Sequence, residues 1–136
     1  RSLCLGIVSN AQFYTPLLFE AYFGKNTEEL GFDRELCAYS YLYQRAKPSP
    51  ELFAPVVQAL KERGIESNQA LYIGNDMLND VLGAAEAGFK TVLFAGDGRS
   101  LRLRENNKLC TGLLPDAVIQ SLTVLPRLIG SEDAGE

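Results

Sequence analysis

Apolar and polar positions alternate along the chain in short blocks, and the blocks change period from one to the next. Leu3 to Val8 is a brief apolar run that stops at Ser9-Asn10, the signature of a buried strand. Thr15-Pro16 then reads as a helix cap followed by proline in the first turn, and the helix continues through Leu17, Leu18, Ala21 and Tyr22 toward Gly24. Lys25 to Arg34 is polar and reads as a loop. From Leu36 to Tyr43 the period drops to two, placing Cys37, Tyr39, Tyr41 and Tyr43 on one side of a half-exposed strand near a sheet edge. Ser49-Pro50 repeats the cap-and-proline device, and Leu52, Val56, Ala59 and Leu60 give the next helix one apolar face before Gly64.

The second half repeats the rhythm. Ala70 to Ile73 predicts a strand, residues 77 to 87 a helix closed by Gly88, and Thr91 to Ala95 another strand ending at the Gly96-Asp97-Gly98 turn. Residues 99 to 112 have no period. Ala117 to Ile119 is a last short strand, followed by a helix from Leu122 to Leu128. Residues 1–130 therefore read as one α/β domain, and 131–136 as a frayed tail. Strands alternating with helices imply βαβ units and a parallel sheet. Ligands of such sheets bind outside the carboxyl ends of the strands, which singles out Ser9-Asn10, Arg45 to Lys47, Gly74 to Asp80, and Asp97.

Composition narrows the function. The 136 residues are 46% hydrophobic and 22% charged, the balance of a globular domain. No apolar run spans a bilayer, and a formal charge of −4 argues against nucleic acid as the partner. Arg1 is not a natural start, so a targeting segment upstream is compatible with the sequence. Cys4, Cys37 and Cys110 are odd in number and scattered, which favours free thiols and a cytoplasmic setting. There is no histidine, so catalysis must rest on carboxylates, lysine or hydroxyls.

Each candidate group has a functional and an ordinary reading. Ser9 and Asn10 present a hydroxyl and strand-end amides to an anion, or form a polar turn. Pro48 holds Lys47 extended, either to set a cation against a phosphoryl group or simply to precede a capped helix. Asp76 and Asp80 lie four residues apart across a strand end and a first helical turn. They suit a hard cation such as Mg²⁺, or serve as helix cap and dipole partner. Arg99, Arg102, Arg104 and Lys108 form a basic cluster able to grip phosphate, or a solvated surface. The tyrosine row is read as packing.

The order and spacing of these groups is more specific than any one of them. A strand ending in Ser-Asn, a Lys-Pro before a helix, and an apolar strand entering Gly74-Asn75-Asp76-x-x-Asn79-Asp80 with a following Ala-x-x-Ala-Gly resemble the haloacid dehalogenase (HAD) superfamily over nearly the whole chain. The resemblance implies a doubly wound parallel sheet and a Mg²⁺-dependent phosphatase acting on a small phosphorylated substrate through an aspartyl-phosphate intermediate. It further implies that Ser9, with Asn10, binds a phosphoryl oxygen, that Lys47 steadies phosphate and nucleophile charge, and that Asn75, Asp76 and Asp80 hold the metal. The family's usual acid after the glycine is here Asn75, which leaves the ligand set open. The family's first motif, an apolar strand running into Asp-x-Asp, and its cap are not found in these residues. The expectation is a sheet without its central strand, whose flanking strands pair directly, receive a segment in trans, or associate with a second copy. Two other readings stand beside the phosphatase: a metal-free dehalogenase, and a non-enzymatic domain that keeps the fold for binding.

Overall fold

A computed structural model describes residues 3–130; the expected tail lies outside the described residues. Among these described residues five strands form two parallel sheets. Strand β1 (Leu5–Ser9) pairs with β2 (Phe32–Tyr39), and β3 (Leu71–Gly74) pairs with β4 (Lys90–Phe94), which pairs with β5 (Ala117–Ile119). Each ladder joins strands separated by a crossover, which is why they run parallel. Helix α1 (Thr15–Phe23) connects β1 to β2, and residues 77–86 connect β3 to β4. The α/β class and parallel arrangement expected from the sequence are those observed.

The two sheets share no ladder, so direct pairing of the flanking strands does not occur. They share a core instead. Helix α3 (Ala54–Glu62) and the turn before it place Leu52, Phe53, Val56 and Leu60 in one core cluster with Val8, Leu36 and Ala38 and with Ala84 and Phe89. Phe53 is fully buried and meets the rings of Tyr72 and Phe89 at 5.1 and 5.8 Å. A polar tie also crosses the opening: the Tyr72 hydroxyl, on β3, donates to the Val8 carbonyl of β1 at 2.7 Å.

Several boundaries move. Tyr14, not Thr15, occupies the N-cap position of α1, while the Thr15 hydroxyl accepts from the Gln12 amide. Strand β2 begins at Phe32, inside the stretch read as loop, and ends at Tyr39. Ser40–Tyr43 forms a short helix, α2, so Tyr41 and Tyr43 do not continue the strand. The Ser40 hydroxyl causes the break by accepting from the Ala11 amide and donating to the Ala11 carbonyl. The polar start of β2 is matched by Arg63 after α3, which pairs with Asp33 and Glu35. The helix expected over 77–87 is a wide π-wound segment, Met77–Leu82, followed by α4 (Gly83–Glu86); Gly88 closes it at φ 88°, as expected. The last helical stretch is a 3₁₀ turn (Leu122–Val124) running into α5 (Leu125–Leu128).

Because Phe53 is the side chain on which both halves converge, Phe53→Ala should destabilise the fold by about 3–5 kcal/mol in urea unfolding. Gly98→Ala, at a turn with open space around the added carbon, should change stability by less than about 0.5 kcal/mol. Comparable losses for the two would mean that α3 does not couple the sheets.

Candidate functional site

The carboxyl ends of β1 and β3 are drawn together by Lys47. Asn10, just after β1, clamps the Lys47 peptide from both sides: its carboxamide accepts from the Lys47 amide at 2.6 Å and donates to the Lys47 carbonyl at 3.1 Å. That clamp aims the side chain across the opening. The Lys47 amine donates to Asp80 Oδ1 at 2.5 Å and to the Tyr72 hydroxyl at 3.0 Å. Both members of the ion pair are shielded, with side chains 12% and 7% exposed. An isolated charge would be costly at this depth; the pair with its added hydrogen bonds is tolerated.

Asp80 owes its place to Gly74. A Cβ at residue 74 would collide with the Asp80 carboxylate, so glycine lets the acid lie directly against the strand end. There its Oδ2 accepts from the backbone amides of Asn75 and Asp76, both at 3.0 Å. The spacing Gly-Asn-Asp-x-x-x-Asp is thus the spacing that folds the second acid back onto the amides following the strand. Asp80 also stands in the first turn of the segment after β3, as its reading as a dipole partner has it.

Asp76 does cap the segment after β3, its Oδ1 accepting from the amides of Leu78 and Asn79 at 2.9 and 3.2 Å. It also receives the Arg104 guanidinium in a two-point contact, Nε on Oδ1 at 3.0 Å and Nη2 on Oδ2 at 2.5 Å. Burial pushes the Asp76 carboxyl up, but the Arg104 guanidinium and the amides of Asn79 and Leu78 outweigh it and hold the group below the ordinary carboxylate range. Burial, with Asp80 adding to it, drives the Tyr72 phenol well above its usual value, so Tyr72 is a neutral donor.

Ser9, Asn10, Lys47, Asn75, Asp76 and Asp80 therefore gather at one end of the two sheets. Among the described residues the side chains of Ser9 and Asn75 have no hydrogen-bond partner, whereas both acids are engaged by a cation of the chain. Asn10 is committed to positioning Lys47. The oxygens of Asn75, Asp76 and Asp80 suit Mg²⁺ in kind, since that ion takes hard oxygen donors and only a few from protein. Two participants were not singled out in the sequence. Tyr72 looked like one more apolar position of a strand. Arg104 was one cation in a cluster of four, while Arg102 of that cluster donates only to the backbone carbonyls of Arg99 and Leu101.

The HAD-hydrolase-like family profile matches residues 44–125. The phospholysine phosphohistidine inorganic pyrophosphate phosphatase of Xenopus laevis is 30% identical over 91 residues, which are 66% of this chain and 31% of that protein. The human protein of the same name is 44% identical over 46 residues, 34% of this chain and 16% of that one. Among solved structures, a HAD phosphatase from Thermococcus onnurineus superposes with a TM-score of 0.71 at 25% identity, covering 96% of this chain and 52% of its own. The magnesium-bound HAD-hydrolase YfnB of Bacillus subtilis superposes at 0.69 with 20% identity, covering 93% and 48%, a likeness of fold. The chain thus spans about half the length of these solved structures, and less of the curated relatives.

The depressed Asp76 carboxyl carries a pH signature. A group whose folded pKa lies below its unfolded value of about 3.9 contributes stability that is complete above that value and disappears as pH falls through the folded one. Asp76→Asn should therefore flatten the acid limb of the stability curve below about pH 4 while lowering stability at neutral pH. An acid limb identical to that of the wild type would show that the pairing with Arg104 is not formed in solution.

Proposed function

The chain belongs to the HAD-like hydrolase family, and on that basis we propose that the protein is a Mg²⁺-dependent phosphatase acting on small phosphomonoesters. The observation that carries the proposal is Lys47, a shielded ammonium held at the strand ends by Asp80 and Tyr72 beside the residues that follow β1 and β3. A dianionic phosphoryl group needs a preorganised cation of this kind, because charge builds on its oxygens during transfer. In this reading the free Ser9 hydroxyl donates to a phosphoryl oxygen, and the Asn10 clamp keeps Lys47 from swinging out. Asn75, Asp76 and Asp80 are the oxygen donors for the metal, which when bound neutralises charge at the transferring group.

The nucleophile belongs to a further segment. Asp76 and Asp80 are each held by a cation and by amides, so neither is a free attacking carboxylate. The proposal places an aspartate at the end of an additional strand running between β1 and β3, which share no ladder and where the Tyr72–Val8 hydrogen bond would give way to it. That aspartate forms an aspartyl-phosphate, which water then hydrolyses, dividing one difficult displacement into two easier ones. The greater length of the solved relatives supports such a segment. The 136 residues alone are expected to be inert and to associate through the open edges.

A second reading has its own support. Because Lys47 and Arg104 already neutralise the two acids, the same site is compatible with metal-free dehalogenation of a small haloacid. The full-length protein separates the two. Phosphate release from small phosphomonoesters should require Mg²⁺ and fall by at least about 10²–10³-fold in Lys47→Ala, measured at a temperature where circular dichroism shows the variant folded, because loss of the amine leaves the shielded Asp80 uncompensated. Halide release without metal, and no phosphate release with it, would establish the dehalogenase instead.

A further inference from the structure

Asp76 already holds a cation, and that cation belongs to the protein. Its Oδ1 accepts from the Leu78 and Asn79 amides and from Arg104 Nε, and its Oδ2 from Asn79 Nδ2 and Arg104 Nη2. A carboxylate offers about four lone-pair directions. With five donors converging on them, no position remains for a metal unless a donor leaves. The two amides are fixed in the first helical turn, and the Asn79 carboxamide is carried by that same turn. The guanidinium is the exchangeable donor, since its side chain is 36% exposed while that of Asp76 is 10%.

Arg104 is delivered by a built loop rather than by a loose surface side chain. The Arg102 backbone brackets the strand end, its amide donating to the Asn75 carbonyl and its carbonyl accepting from the Met77 amide, both at 2.9 Å. Leu101 packs against the buried Met77, Val81 and Leu93. Arg104 itself sits at φ 57°, a left-handed conformation that non-glycine residues adopt infrequently. By contrast Lys47, the cation on Asp80, is almost buried and held by a second bond to Tyr72, so it is poorly placed to exchange.

We propose that Arg104 is an intramolecular competitor for the divalent cation at Asp76. It neutralises the carboxylate when no metal is bound, must withdraw when metal enters, and so sets the metal affinity of the site. This rests on the reading of Asp76 as a metal donor. The apparent affinity of such a site is the intrinsic affinity reduced by the fraction of molecules in which Arg104 is away. A guanidinium docked about nine-tenths of the time would leave about one molecule in ten competent, and removing it would then raise Mg²⁺ affinity about tenfold. Lysine at this position cannot reproduce the two-point contact and should give an intermediate effect.

The test is calorimetric titration of the full-length protein with Mg²⁺ alone, for the wild type, Arg104→Gln and Arg104→Lys, with folding checked by circular dichroism. The expected order of affinity is Gln above Lys above wild type, with about tenfold between the extremes. The metal-free Gln variant should also melt below the wild type and gain more from saturating Mg²⁺. If the Gln variant fails to fold, the Lys variant decides, because it keeps the charge and loses only the fork. Equal or weaker Mg²⁺ binding in the variants overturns the proposal and leaves the metal reading intact. Absence of Mg²⁺ binding in every form overturns both.

Discussion

The contact between Lys47 and Asp80 is the constraint on which the site depends. Lys47 is tied to the end of β1 through Asn10, and Asp80 to the end of β3 through the amides of Asn75 and Asp76. The ion pair therefore closes a circuit between two sheets that have no ladder in common. Tyr72 runs parallel to it, accepting from Lys47 and donating to Val8. Beneath this polar bridge, α3 supplies the apolar one. Packing sets the two halves at a separation, and the ion pair sets the relative position of the groups that face a ligand.

That division explains why the site residues cluster as they do. Parallel strands end together, and the chain after each end is free to present amides and short polar side chains. Gly74 lets an acid from the following turn fold back onto those amides, which is a demand of close approach and not of flexibility. Asp76 then both caps the wide helical segment and receives Arg104, so secondary structure and site electrostatics share one carboxylate. The two acids of the site are consequently neutralised before any ligand arrives. A ligand would therefore meet a site already balanced in charge.

Much of this was legible in the sequence where the local signal and the tertiary role coincide. Ala117–Ile119 has the expected bounds, and the strand ends carrying Ser9 and Gly74 lie within a residue of expectation. Lys47 and Asp80 stood out in the sequence because Pro48 and the spacing from Gly74 to Asp80 constrain the backbone locally, but the pairing of the two, across 33 residues, was not legible there. The misreadings arose where partners are distant. Asp33, Arg34 and Glu35 made the start of β2 look like a loop, yet Arg63, 30 residues away from Asp33, satisfies two of them. The tyrosine alternation ran past the end of β2 because the break comes from Ser40 bonding to Ala11, a contact across 29 residues. Arg104 lies 28 residues from Asp76, and nothing local distinguishes it from Arg99 or Arg102.

The central claim is that one anion site lies at the joined ends of β1 and β3, with Lys47 at its centre. Titrating the ¹⁵N-labelled full-length protein with inorganic phosphate addresses it most directly. The account predicts saturable shifts of the amides of Ser9, Asn10, Asn75 and Asp76, and their loss in Lys47→Ala. Shifts confined to the arginine-rich segment 99–108, or shifts that persist without Lys47, would contradict it.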